Sequence, residues 1–163
     1  MELINSFTSI FLICFISYLY GYYFLKTLKF ETNKINIFES QIVGFFFLSF
    51  ISLIINFFYP INTLVNNIIF LVSVLLFLNL IIKKKIKFKI VIPLIVLTFL
   101  TLTIISFSNF QEDYPWYSIP YISLLNNEKI SFGISNVQFR FGHISLLQYA
   151  SATIPSSIIN TKF

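Results

Sequence analysis

The sequence predicts an all-α polytopic membrane protein. It has four transmembrane helices, an extracytoplasmic loop bearing short interfacial helices, and a final segment that is either a fifth membrane helix or an interfacial one. Three observations predict this class. Four apolar runs have the length of a bilayer crossing and contain no charged residue. Hydrophobic residues make up 57% of the 163 positions and charged residues 10%, with a mean hydropathy of +0.86, far outside the range of soluble domains. Most lysines fall in two short loops between apolar runs.

A helix rises 1.5 Å per residue, so about 20 residues cross roughly 30 Å of hydrocarbon. The four runs are Phe7–Leu25, Ile42–Tyr59, Leu64–Ile82 and Ile90–Phe107. A charge at the bilayer centre costs about 3 kcal/mol on insertion scales, which explains its absence from them. The leader "MELINS" carries Glu2 and no Lys or Arg, and no small-residue cleavage site follows. The first run is therefore expected to stay attached as a membrane helix.

Between the first two runs lie Lys26, Lys29 and Lys34. Between the last two lies "KKKIKFK", with Lys83, Lys84, Lys85, Lys87 and Lys89. Both loops are expected in the cytoplasm of a bacterial cell, facing inward from the inner (cytoplasmic) membrane. The uncharged turn "PINT", Pro60 to Thr63, then lies on the opposite face. So do the N-terminus and residues 108–143. A basic patch can bind nucleic acid or anionic lipid heads. Squeezed between two spans, this one is read as a topology signal, with membrane lipids as partners and no nucleic acid.

Within the spans, Ser49, Ser52 and Asn56 recur on one helical face, which suits packing between helices. Asn66, Asn67 and Asn79 in the third run either line a substrate path or bond a neighbouring helix, and Pro93 is tolerable in the first turn of the fourth. Cys14 is the single cysteine and His143 the single histidine. An intrachain disulfide and a multi-His metal site are thereby excluded.

The chain thus divides into a four-span region, 1–107, an extracytoplasmic loop, 108–143, and a last segment, 144–163. In the loop, "YPWYSIPY" has the composition of a bilayer interface, where Tyr and Trp place a ring among acyl chains and a polar edge among head groups. Pro115 and Pro120 begin or bend short helices, and "YISLLNNEK" reads as an amphipathic surface helix. Gly133 and Gly142 flank an alternating stretch suited to turns or extended chain. Ile144 to Ile159 contains Pro155 and reads as a fifth span, a re-entrant helix or an interfacial helix.

Residues Glu112 to Ala152 carry a further pattern. An acidic residue and aromatics follow a span (Asp113, Tyr114, Tyr117), then come a short helix, a G-x-x-N turn (Gly133, Asn136), an arginine-glycine stretch (Arg140, Gly142) and an apolar helix. This run resembles the first large outer loop of bacterial polytopic membrane proteins allied to the GT-C glycosyltransferases. The resemblance covers about forty residues. Tyr117 is followed by Ser118 where that group often has a histidine, and its members run to many more spans.

The resemblance implies that the chain is the amino-terminal portion of an enzyme transferring sugar from a polyprenyl-phosphate donor to a cell-envelope acceptor. Such a reaction needs a carboxylate to take the acceptor hydroxyl's proton or to hold a divalent metal ion. Asp113 is the candidate for both roles, with Glu112 beside it. Arg140 offers paired donors to the carrier phosphate, or else snorkels to lipid heads. His143 shares its face if the piece is helical, and Asn136 and Tyr117 complete the substrate-binding candidates. The competing reading is a small non-enzymatic membrane protein, an assembly partner or a piece of a transporter. A transporter would place charged or broken-helix sites near the midplane, and the four runs have none.

Overall fold

A computed structural model describes residues 2–30, 36–83, 88–107, 119–130 and 145–153. Within these the chain is helical: α1 (Glu2–Thr27), α2 (Ile37–Phe58), α3 (Thr63–Ile82), α4 (Phe88–Phe107), α5 (Ile119–Asn127) and α6 (Leu146–Ala152). Among the described residues, three stretches are long and apolar enough to cross a membrane: Phe7–Thr27, Ile37–Phe58 and Thr63–Ile82. α4 covers the fourth expected run, and within it Ile92–Thr101 is a shorter apolar helical stretch.

Local chemistry sets the helix ends. α2 begins five residues before the expected Ile42 because Asn36 caps it. The Asn36 side chain accepts from the Phe38 N–H at 3.3 Å, and Glu39 accepts from the Asn36 N–H at 3.4 Å. This reciprocal cap satisfies orphan donors and draws the polar "ESQ" into the helix. At α3, Asn62 accepts from the N–H groups of Leu64 and Val65. α1 ends in a left-handed residue, Lys29 (φ 63°), with Phe30 N–H donating to Leu25 O and Lys29 N–H to Lys26 O. That is the bond pair of a Schellman cap, a position where glycine costs least. α4 starts at Phe88, two residues earlier than the expected run, so Pro93 lies inside the helix and not at its first turn. Its missing N–H withdraws one bond near the helix start, where the ladder is shortest.

α1 is the central helix. It packs against α2, α4 and α3, whereas α2 and α3 touch each other little despite their four-residue connection. The α1–α2 contact brings backbone against backbone, with Gln41 Nε2 donating to Cys14 O at 3.3 Å and the Phe24 ring stacked on Phe47 at 4.4 Å alongside. A Cβ built on Gly21 would overlap the Ser40 carbonyl oxygen, and one on Gly44 would overlap the Ser17 carbonyl oxygen. Ser17-x3-Gly21 on one helix thus faces Ser40-x3-Gly44 on the other, a reciprocal small-residue crossing that the sequence reading passed over. α3 is held to α1 by two tyrosines, Tyr20 donating to Ile69 O at 3.0 Å and Tyr23 to Leu76 O at 3.1 Å. α4 meets α1 through Phe7 and Phe99, whose ring centroids lie 5.1 Å apart, and through Leu94 against Leu19.

The expected packing face of α2 is confirmed: Ser49, Ser52 and Asn56 are all fully buried. The serines, however, donate to their own helix, at Phe45 O and Leu48 O, and only Asn56 reaches across. Large apolar side chains cover the outside, among them Phe46, Phe50, Phe57, Leu71, Leu75 and Phe99. Such continuous apolar surface is the mark of a protein whose solvent is hydrocarbon. Between α2 and α3 it folds into an apolar crevice of about 310 Å³ lined by Ile55, Tyr59, Leu64, Val65, Ile68 and Ile69.

Candidate functional site

Glu112, Asp113, Tyr117, Asn136, Arg140 and His143 all lie outside the described residues. So does the remainder of the last segment, residues 154–163, on which the choice between a fifth span and an interfacial helix rests. The structure describes the anchors on either side of the candidate residues. Residues 108–118 join α4 to α5, and residues 131–144 join Ile130 to Ser145, just before α6.

Both short helices are fastened to the end of the bundle that carries the α2–α3 turn, which is called the turn end below. A helix leaves its last four carbonyls without partners, and in hydrocarbon each unmet group is costly. Here carboxamides take them. Asn56 Nδ2 donates to Glu128 O at 3.0 Å and to Leu125 O at 3.4 Å, while the Ile61 N–H also donates to Leu125 O at 2.8 Å. The Asn56 carbonyl accepts from the Ile130 N–H at 2.9 Å. For α6, Asn66 Nδ2 donates to Ala152 O at 3.1 Å. Asn126, with its nitrogen turned toward the carbonyls, donates to Ile61 O at 2.8 Å and Ala152 O at 3.2 Å. That orientation is assigned from these partners.

Tyr149 completes the joint. Its ring is fully buried, and its hydroxyl donates to Asn56 Oδ1 at 3.3 Å and shares a hydrogen bond with Tyr121. Burial pushes both phenols above their ordinary range, and for Tyr149 the neighbouring Tyr121 adds to the rise. Both therefore stay protonated as donors at neutral pH. Around these polar groups, Ile16, Tyr20, Leu48, Ile61, Val65, Ile69, Leu125 and Ala152 form one apolar cluster. α5 and α6 also pack on each other, and α6 packs along α2.

The expected surface helix in "YISLLNNEK" therefore exists, beginning at Ile119 with Pro120 in its first turn, where a missing N–H costs least. It is docked as well as amphipathic, with Tyr121 and Leu125 buried. Of the three amides noted in the third run, Asn66 bonds a neighbouring helix, Asn67 is exposed and Asn79 is half-buried. Sequence reasoning missed Asn126 and Tyr149. The available signal was an Asn at the end of an apolar helix with Tyr and Asn in the weakly apolar pieces that follow.

Chemically, the joint offers neutral donors and acceptors. Its amides and phenols hold the chain in place. Among the described residues, no set of three His, Cys, Asp or Glu side chains gathers.

No curated protein and no solved structure is detectably similar to this chain. The model of one family, described as a domain of unknown function (DUF8201), matches residues 3–163. That match takes in all the fastenings of α5 and α6 to the turn end as well as the membrane-length helices. The chain belongs to the DUF8201 family.

Proposed function

We propose that this chain is the membrane-embedded, amino-terminal portion of a GT-C-like glycosyltransferase in the bacterial inner membrane. It would transfer a sugar from a polyprenyl-phosphate donor to a cell-envelope acceptor. In this reading α1 to α4 all cross the membrane, with the lysine loops in the cytoplasm and the turn end outside, following the bias of lysines toward the inner face.

The observation that carries this reading is the joint at the turn end. α4 runs antiparallel to α1, with Phe99 against Phe7, so Phe107 emerges at the end where α5 and α6 are bound. The two segments bearing the candidate residues therefore start and finish at one end of the bundle, which this reading sets at the head-group boundary. A donor with its tail in lipid and its sugar phosphate in water presents the reacting bond at that depth. In this reading Asp113 takes the proton of the acceptor hydroxyl, Glu112 is the nearby alternative, and Arg140 holds the carrier phosphate by paired hydrogen bonds. His143, Asn136 and Tyr117 contact the sugar phosphate. The neutral joint of Asn56, Asn66, Asn126 and Tyr149 supplies rigidity.

The test uses the protein in native membranes with a radiolabelled polyprenyl-phosphate sugar. Asp113→Asn, as loss of a general base, and Arg140→Gln, as loss of a phosphate clamp, are each expected to lower transfer at least about a hundredfold while membrane content is unchanged. Transfer that survives both substitutions rejects the enzymatic role and favours a non-enzymatic membrane protein. A cysteine placed at Ser118 should react in intact cells with a thiol reagent that cannot cross membranes. Protection there would overturn the orientation.

A further inference from the structure

We infer that a cavity between α1, α2, α3 and α6 is a built water site, organised by the side-chain oxygen of Asn66. The cavity measures about 30 Å³, and its lining includes the polar residues Ser17, Asn66 and Thr153 among the apolar Ile16, Leu48 and Ile69. Asn66 is 3% exposed. Its nitrogen is committed to Ala152 O, but no described protein group donates to its buried Oδ1. Turning the amide over would aim two acceptors at each other, so its orientation is fixed.

A buried carbonyl oxygen without a donor is costly, more so in a bundle surrounded by lipid. An occupying water needs about 10 to 15 Å³ of such space and two to four polar partners. The volume suffices, and three of the lining residues are polar. Water donates one hydrogen to Asn66 Oδ1. The Ser17 hydroxyl and Thr153 Oγ1, whose proton goes to Ala150 O at 2.6 Å, offer the remaining contacts. The volume suits one or two waters and is too small for a sugar or a lipid head group. Nearby Asn56 is the natural control. It is fully buried, and its oxygen and nitrogen both have protein partners.

The water site does not depend on the proposed sugar transfer. Its test is proton-detected solid-state NMR of the asparagine-labelled protein in lipid bilayers, reading magnetisation transfer from water to each side-chain amide. Asn66 is expected to receive transfer several-fold faster than Asn56. Equal or slower transfer at Asn66 overturns the proposal. Ser17→Val, which fills the cavity and removes one partner, should abolish the transfer while the Asn66 amide resonance persists. Transfer that persists unchanged in that variant also overturns it. Should Ser17→Val fail to fold, the comparison of Asn66 with Asn56 in the unaltered protein decides alone.

Discussion

The α1–α2 crossing and the turn-end joint are both buried contacts in a bundle surrounded by hydrocarbon, yet opposite chemistry makes them. At the crossing, small residues bring backbone against backbone: Gly21 and Gly44 admit the carbonyl oxygens of Ser40 and Ser17 into the space a Cβ would fill, and Gln41 Nε2 adds one donor to Cys14 O at 3.3 Å. At the joint, side chains do the holding, as Asn56, Asn66 and Asn126 collect the last carbonyls of two short helices. The difference follows from what each contact must join. Long helices satisfy their own backbone and gain from close approach, since lipid gives them no hydrophobic drive to associate. Short helices of nine and seven residues have too few internal bonds to hide their ends, so they need partners for them.

Substitutions can break this contrast in graded steps. The largest effect is expected at the crossing. Gly44→Leu places four carbons where the Ser17 carbonyl lies, and should cost more than about 4 kcal/mol and abolish the folded hairpin. Gly44→Ala should cost about 3 kcal/mol, read by unfolding in mixed micelles. A change in stability below about 0.5 kcal/mol for Gly44→Ala would mean the helices are not in backbone contact.

At the joint the loss should be smaller and local. Asn56→Leu strips Glu128 O and the Tyr149 hydroxyl of partners and should cost about 2 to 3 kcal/mol. Hydrogen exchange should rise across residues 119–153 while α1 stays protected. Uniform loss of protection throughout the bundle would show that the joint is not a separate unit.

Alkaline pH tests the same joint more gently. The phenols of Tyr121 and Tyr149 are raised by burial, so the folded state holds their protons more tightly than the unfolded chain does. Their contribution is complete below pH ~10, the unfolded value, and is lost as pH rises through the folded values above it. Tyr149→Phe should remove about 1 kcal/mol and much of that alkaline sensitivity, measured as tyrosinate absorbance against pH. Stability that keeps the same alkaline slope in Tyr149→Phe would locate the sensitivity elsewhere.

The smallest effect belongs to neither region and serves as a baseline. Lys29 sits at φ 63°, so Lys29→Gly should stabilise the α1 end by about 0.5 to 1 kcal/mol, detected by the same unfolding measurement. A loss of stability there would contradict the left-handed cap.

Long-range order in this protein was legible where a single helix explains it. Apolar runs without charge identified α1, α2 and α3 as membrane-length helices because burial in lipid acts on every residue of a span. The shared face of Ser49, Ser52 and Asn56 was visible for the same reason, since periodicity reports burial. It could not reveal that the serines bond within α2, a choice of rotamer. Nor could it pair Asn56 with Tyr149, 93 residues away, because such contacts depend on how two distant pieces meet. The Ser17/Gly21 and Ser40/Gly44 spacings were legible in principle but look ordinary until each is set against the other. The candidate acids and the arginine were selected by residue chemistry and a loose family likeness, and periodicity has no bearing on them.

The reach of the amide contacts has a consequence for biogenesis. Asn66 waits for Ala152, 86 residues later, and Asn56 for Glu128, 72 later. Ribosomes add about 5 to 20 residues per second, so both amides are made roughly 4 to 17 s before their acceptors. Holding two thirsty amides at the α2–α3 turn, beside the head groups, lets water satisfy them during that delay. Moved two turns deeper, the same residues would make the newborn hairpin a client for the insertion machinery.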